Sequence, residues 1–186
     1  GILERPGAVH DRVDGAKVRQ PGLDGRGRPN IESDPACHAA PGPTSRNAPL
    51  YGRPGLAYVY LNYGIHYLVN AVTEEEGRPA AVLIRALSPL EGIPLMRARR
   101  DAPASRSALP RASGEILETA LCRGPGNLTR ALGISLSQNT CDLTRGNLVI
   151  EDRGLSVTGR IRRGPRIGIS VGVERPWRRW IEDHPC

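Results

Sequence analysis

Tyr51, Tyr58, Tyr60, Tyr63 and Tyr67 are all the tyrosines of a 186-residue chain that has no phenylalanine. Within Tyr58-Val-Tyr-Leu-Asn-Tyr-Gly-Ile-His-Tyr-Leu-Val-Asn70, Tyr58 and Tyr60 share one side of a strand and Ala57, Val59 and Leu61 the other. Two readings fit that face. It is either core packing with an amphipathic rim, or a platform for a nucleobase, where stacking is worth ~1–3 kcal/mol per base. Tyr63, next to Gly64 at the expected tip of a hairpin, is poorly placed for a core and well placed as a wedge into a duplex. Arg85 interrupts the apolar run Ala80–Leu87. Facing outward it is a solvated edge charge; facing inward it needs a carboxylate, a phosphate or a ring of carbonyls.

The elements that must position these side chains follow from periodicity. Alternation over 57–62 and 65–72, broken at Tyr63-Gly64, predicts a hairpin, and Ala80–Leu87 predicts a third strand. Ser88-Pro-Leu-Glu91 has the form of a capping box with proline at the first helical position, so a helix is expected directly after that strand. Ala112–Cys122 has helical spacing. Gly124-Pro-Gly126 turns the chain, and Asn127 is the expected cap of a short helix ending at Gly133. Leu148–Glu151, Arg166–Val173 and Trp177–Ile181 read as late strands. The pattern is α+β with mostly antiparallel pairing.

Composition narrows the partners. The net charge is +7, carried almost wholly by arginine, with Lys17 the only lysine. Arginine suits phosphate, although a GC-rich genome gives the same bias. Cys37, Cys122, Cys141 and Cys186 form no C-x-x-C pair and no zinc spacing. No apolar run approaches the roughly 20 residues of a membrane span. A cytoplasmic protein with reduced thiols is expected.

Several motifs now stand in a familiar order. They are Asp34-Pro-Ala-Cys-His38-Ala, Ser45-Arg46-Asn47, Gly55 with Tyr58-Val-Tyr60, Asn62-Tyr63-Gly64 and Asn70. Val82-Leu-Ile-Arg85-Ala-Leu87, Pro89-Leu-Glu-Gly92 and Leu121-Cys-Arg-Gly124-Pro-Gly-Asn127-Leu128 follow. From residue 31 onward the chain resembles the alkyladenine (3-methyladenine) DNA glycosylase family, mammalian-type, as a bacterial member. The resemblance implies a single compact domain with a curved antiparallel sheet, flanking helices and a protruding hairpin that enters DNA. It implies base-excision repair: a damaged purine is flipped from double-stranded DNA and its N-glycosidic bond hydrolysed. Tyr63 would be the wedge, while Tyr60 and His38 would contact the extruded base. Asn70 would line the pocket and reject guanine-type bases. Arg85 would hold the catalytic carboxylate, and Arg46, Gly124 and Asn127 would touch the DNA backbone. A nucleoid-associated monomer is implied, without metal or organic cofactor.

One part of the family pattern is missing. A catalytic glutamate in a Glu-Ala-Tyr stretch belongs ten or eleven residues before His38, where this chain has Gly27 or Arg28. Glu32 is the nearest substitute. Residues 1–30 show neither strand nor helix periodicity and are expected to be a disordered or out-of-frame segment, with the glycosylase-like domain at 31–186. Weak or absent catalysis is therefore expected. A damaged-DNA-binding protein without catalysis and a generic nucleic-acid-binding module are the alternatives.

Overall fold

The computed structural model describes residues 34–102, 115–154 and 159–185. The expected segment 1–30, and with it Gly27, Arg28 and Glu32, lies outside the described residues. So does the first part of the expected helix at 112–122.

Three antiparallel strands, β1 (Ala57–Asn62), β2 (His66–Val72) and β3 (Ala81–Leu83), form one sheet in the order β1-β2-β3. Tyr58 pairs with Asn70 and Tyr60 with Leu68, which puts these four on one face. The opposite face carries Ala57, Val59 and Val69 into the larger core, with Met96, Leu121, Leu128 and Ala131. That core is closed by α1 (Ile93–Asp101), the single turn α2 (Glu118–Leu121) and α3 (Pro125–Leu132). On the tyrosine face a smaller cluster joins Tyr58 and Val72 to Ala39 and Leu50 of the loop that precedes the sheet. The sheet is thus covered on both sides, and the candidate chemistry lies on the loop side.

Arginines bolt the helices to one another. Arg99 Nη1 donates to the Ala131 carbonyl at the end of α3, and Arg130 Nε donates to the Arg99 carbonyl in α1. Buried Arg100 donates to the Ala120 and Leu121 carbonyls that end α2. In each case a cation meets the electronegative end of a helix, where terminal carbonyls lack intrahelical partners.

A second sheet pairs β4 (Ile161–Gly164) with β5 (Arg178–Ile181). Among the described residues no helix is long and apolar enough to cross a membrane.

Several expected elements differ. The third strand stops at Leu83; beyond it Ile84 N still bonds to Val69 O, and Ala86 forms an isolated bridge with Arg123. The helix expected at Ser88 starts at Ile93, because Gly92 takes φ +71 and Pro94 occupies the first turn. Asn127 does not cap α3: Gly124 is the N-cap residue, and Asn127 lies inside the helix with Nδ2 donating to Arg123 O. Gly133 does end that helix, at φ +73. Leu148–Glu151 and Arg166–Val173 form no strand. Leu148 and Ile150 pack against the larger core instead.

Candidate nucleic-acid interface

The turn between β1 and β2 is built by two residues with positive φ, Tyr63 at +49 and Gly64 at +69, closed by Ile65 N donating to Asn62 O at 3.0 Å. Positive φ at both central positions is the requirement of a type I′ turn, whose twist matches that of the flanking strands. Glycine meets it freely. For Tyr63 the same backbone costs roughly 1–2 kcal/mol. The strained tyrosine is also 84% exposed, so packing does not repay the strain. Ile65 beside it is 67% exposed, and the tip therefore presents two large apolar side chains to solvent.

Along the strand from this tip, the tyrosines divide into two roles. Tyr58 is 2% exposed and belongs to the core. Tyr60 is only half-buried. His38 stands edge-on to both, with ring centroids 4.5 Å from Tyr60 and 5.9 Å from Tyr58. The two tyrosine rings are 5.3 Å apart and tilted by 31°. His38 Nδ1 and the Tyr58 hydroxyl are 2.7 Å apart. Burial pushes the Tyr58 phenol up to about 12. Burial, reinforced by the Arg46 charge, holds the His38 imidazole below its usual range. At neutral pH this is an uncharged aromatic corner with one ring, Tyr60, open at its side.

Asn70 is buried next to it, and its Nδ2 donates to Tyr58 O at 3.0 Å. That bond fixes the amide across the strand pair. Arg46 Nη2 donates to Leu61 O at 3.3 Å, which ties the preceding loop to the hairpin. Gly124 and Asn127 open α3, whose first turn abuts the hairpin: a Cβ on Gly126 would come within 2.8 Å of the His66 ring. Thr129 Oγ1 donates to Tyr67 O at 2.7 Å and fastens the same contact.

The structure thus brings His38, Tyr60 and Asn70 to one face of the sheet, with Arg46 at the loop beside it. Tyr63 stands at the tip, and Gly124 and Asn127 stand at the helix behind it. Arg85 is half-buried just beyond β3 and has no hydrogen bond or ion pair among the described residues. Among those residues no group of three His, Cys, Asp or Glu side chains could hold a metal.

Two supports were not legible. Asn47, 2% exposed, donates to the His38 and Gly42 carbonyls and accepts from Thr44 N, so it shapes the loop that presents His38. Its place in Ser45-Arg-Asn47 was the only signal. Asp34 is bound bidentately by Arg166 at 2.5 and 2.7 Å, which anchors the other end of that loop. Nothing in either local sequence announces that pairing.

Comparison with known proteins places the sequence in one family. A model described as methylpurine-DNA glycosylase matches residues 30–185. A protein of Rubrobacter xylanophilus, named "Putative 3-methyladenine DNA glycosylase", is 50% identical over 145 residues, covering 78% of this chain and 68% of the relative. Relatives of the same name occur in Rhodopseudomonas palustris CGA009 and Chlorobium luteolum. The first is 44% identical, covering 81% of this chain and 66% of the relative. The second is 41% identical, covering 82% and 71%. The chain spans about two thirds of the length of these relatives.

Proposed function

The chain belongs to the methylpurine-DNA glycosylase family, and from that premise we propose that its tyrosine face receives a damaged purine flipped out of double-stranded DNA. The observation that carries this reading is the aromatic corner of His38, Tyr58 and Tyr60 beside Asn70, with Tyr63 projecting from the same hairpin. Tyr60 and His38 contact the extruded base. Tyr58 is buried beneath them and holds the His38 ring through its hydroxyl. Asn70, fixed by its bond to Tyr58 O, meets the exocyclic amino group that guanine-type bases carry and rejects them. Tyr63 fills the gap that the flipped nucleotide leaves in the stack. Arg46 and the first turn of α3 meet the phosphates, since a helix start offers unpaired amides.

The proposed reaction is hydrolysis of the N-glycosidic bond by a water attacking the anomeric carbon. Its oxocarbenium-like transition state calls for a carboxylate that aims the water and offsets the positive charge. Among the described residues Arg85 holds no carboxylate. That observation favours a second reading for this chain, in which the hairpin binds the lesion and cleavage is weak or absent.

Single-turnover excision from a duplex carrying one hypoxanthine tests both. The chain is compared with a variant bearing Arg28→Glu, Pro29→Ala and Asn30→Tyr. Abasic sites from the variant alone support a glycosylase scaffold that lacks its carboxylate. Abasic sites from the unaltered chain overturn the loss of catalysis and assign the work to another acid, Glu32 first. Failure of both chains to bind the hypoxanthine duplex more tightly than an undamaged one sinks the reading altogether.

A further inference from the structure

The second sheet is rich in arginine, and one of its arginines makes no side-chain bond among the described residues. From Gly159 to Pro185 the chain holds seven arginines against three acids. Arg166 is committed to Asp34, and Arg162 to Glu182. Arg163 is exposed and makes no side-chain hydrogen bond or ion pair among the described residues. The β4–β5 register sets it directly opposite Arg179. Like charges facing each other across an antiparallel pair destabilise it. Arg179 is half-buried, and its Nη1 donates to the carbonyls of Pro176 and Arg178. Burial and the Arg163 charge both hold its guanidinium below the usual arginine range.

The pair is also held in place from behind. On the other face of the ribbon Arg178 lies 4.1 Å over the Trp180 ring, and that ring lies so close to Gly164 that a Cβ there would come within 3.0 Å. Stacking of this kind stiffens a two-stranded unit that would be marginal alone. The result is two guanidinium groups at strand spacing on one face of a braced ribbon. Planar guanidinium forks match phosphate oxygens in two-point contact, and a phosphate beside both would relieve their mutual repulsion.

We propose that the Arg163–Arg179 face of the β4–β5 ribbon is a phosphate-backbone contact for duplex DNA, separate from the hairpin. The choice of polyanion rests on the glycosylase reading above; the contact itself is electrostatic and needs no lesion.

Anisotropy of a labelled, undamaged duplex titrated with the full chain at several salt concentrations tests it. Arg163→Ala should reduce the steepness of log K against log salt by about 0.9, the value of one phosphate contact, and weaken binding roughly 3–10-fold near physiological salt. Its melting temperature should be unchanged or higher, because the like-charge pair is gone. Arg163→Lys, which keeps the charge, should keep the slope. Arg153→Ala removes an exposed arginine elsewhere, one paired with Glu151, and should leave the slope as it was. An unaltered slope in Arg163→Ala overturns the proposal. An equal loss in Arg153→Ala also overturns it, because net charge would then explain the effect. The preference for a hypoxanthine duplex over an undamaged one should be the same with and without Arg163. If neither protein shows that preference while the slope still falls, the glycosylase reading fails and this contact stands.

Discussion

The Tyr58 hydroxyl lies 2.7 Å from His38 Nδ1, so the one tyrosine that the sheet buries is bonded to the histidine that flanks its half-open neighbour Tyr60. The bond joins a strand residue to a loop residue, and it makes the loop's position depend on the sheet. Removing it with Tyr58→Phe keeps the ring in the core and should cost about 1 kcal/mol of stability. Urea unfolding reads that loss. The larger effect should be on affinity for a lesion-containing duplex, since His38 loses the side-chain bond that ties it to the sheet. Equal affinity in the variant would show that the loop holds His38 unaided.

His38 should titrate below its ordinary value of 6.5, because burial and then the Arg46 charge both disfavour the imidazolium. The sign follows from linkage: the unfolded chain takes up this proton at a higher pH than the native one. The stability contributed by the neutral ring is full above about 6.5 and is lost as pH falls through the native midpoint. NMR titration of the His38 ring gives that midpoint directly. Arg46→Gln removes the second cause and should move it upward. A midpoint at or above 6.5 in the unaltered chain would contradict the burial account.

Tyr63 combines φ +49 with 84% exposure, which sets stability against function at one position. Tyr63→Gly removes the left-handed strain and should stabilise the protein by about 1 kcal/mol. The same change deletes the proposed wedge, and affinity for a hypoxanthine duplex should fall by roughly an order of magnitude or more. Both quantities must move, in opposite directions. A variant that loses stability would show that the phenol ring makes contacts worth more than its strain.

Breaking the Asp34–Arg166 pair should be the most damaging single change to the loop that carries His38. Burial alone would raise the Asp34 carboxyl, but the hydrogen bonds from Arg166 and Ala36 together with the Arg166 charge hold it below its usual range. Asp34 is 4% exposed, so Arg166→Ala leaves a buried carboxylate without its fork and should cost about 3 kcal/mol. Arg166→Lys should recover only part of this, since one ammonium cannot reproduce the two-point contact. Urea midpoints of the three proteins decide the matter; a lysine variant as stable as the parent would reduce the pair to simple charge.

Short-range order was legible in the sequence, and long-range order was not. The alternation from Ala57 to Val72 located the hairpin because a strand with two different faces writes its period of two directly into the chain. Ser88–Glu91 misled, since side-chain chemistry suited to a helix start was overruled by the backbone freedom of Gly92 and the fixed φ of Pro94 two residues later. Ile161–Gly164 went unseen because Arg-Arg-Gly-Pro has neither apolar alternation nor β-branched weight beyond Ile161, and its pairing with Arg178–Ile181 is a tertiary fact. The same holds within the candidate site. Tyr60, Tyr63 and Asn70 stand on one hairpin and were read together from its alternation, whereas Asp34 and Arg166 are 132 positions apart and carry no local sign of each other.

Asn70 offers the sharpest test of the proposed base-binding face, because its amide is fixed rather than free. Its Nδ2 donates to Tyr58 O at 3.0 Å, and on the proposed reading that bond would keep the side chain in the way of a base with an extra amino group. Asn70→Ala removes both the obstacle and the bond. The Tyr58 carbonyl then loses a partner inside the sheet, and stability should fall by about 1–2 kcal/mol. Binding of a duplex with an unpaired or mismatched guanine should rise relative to one with hypoxanthine, since an obstacle to the amino group is gone. Asn70→Asp keeps the shape but turns the donor into an acceptor facing the Tyr58 carbonyl, and it should be less stable than the parent without admitting guanine. The ratio of guanine to hypoxanthine affinity across the three proteins separates shape from bonding. A ratio that rises only in the alanine variant assigns the selection to the bulk of Asn70. One that stays flat in both removes Asn70 from the recognition of the base.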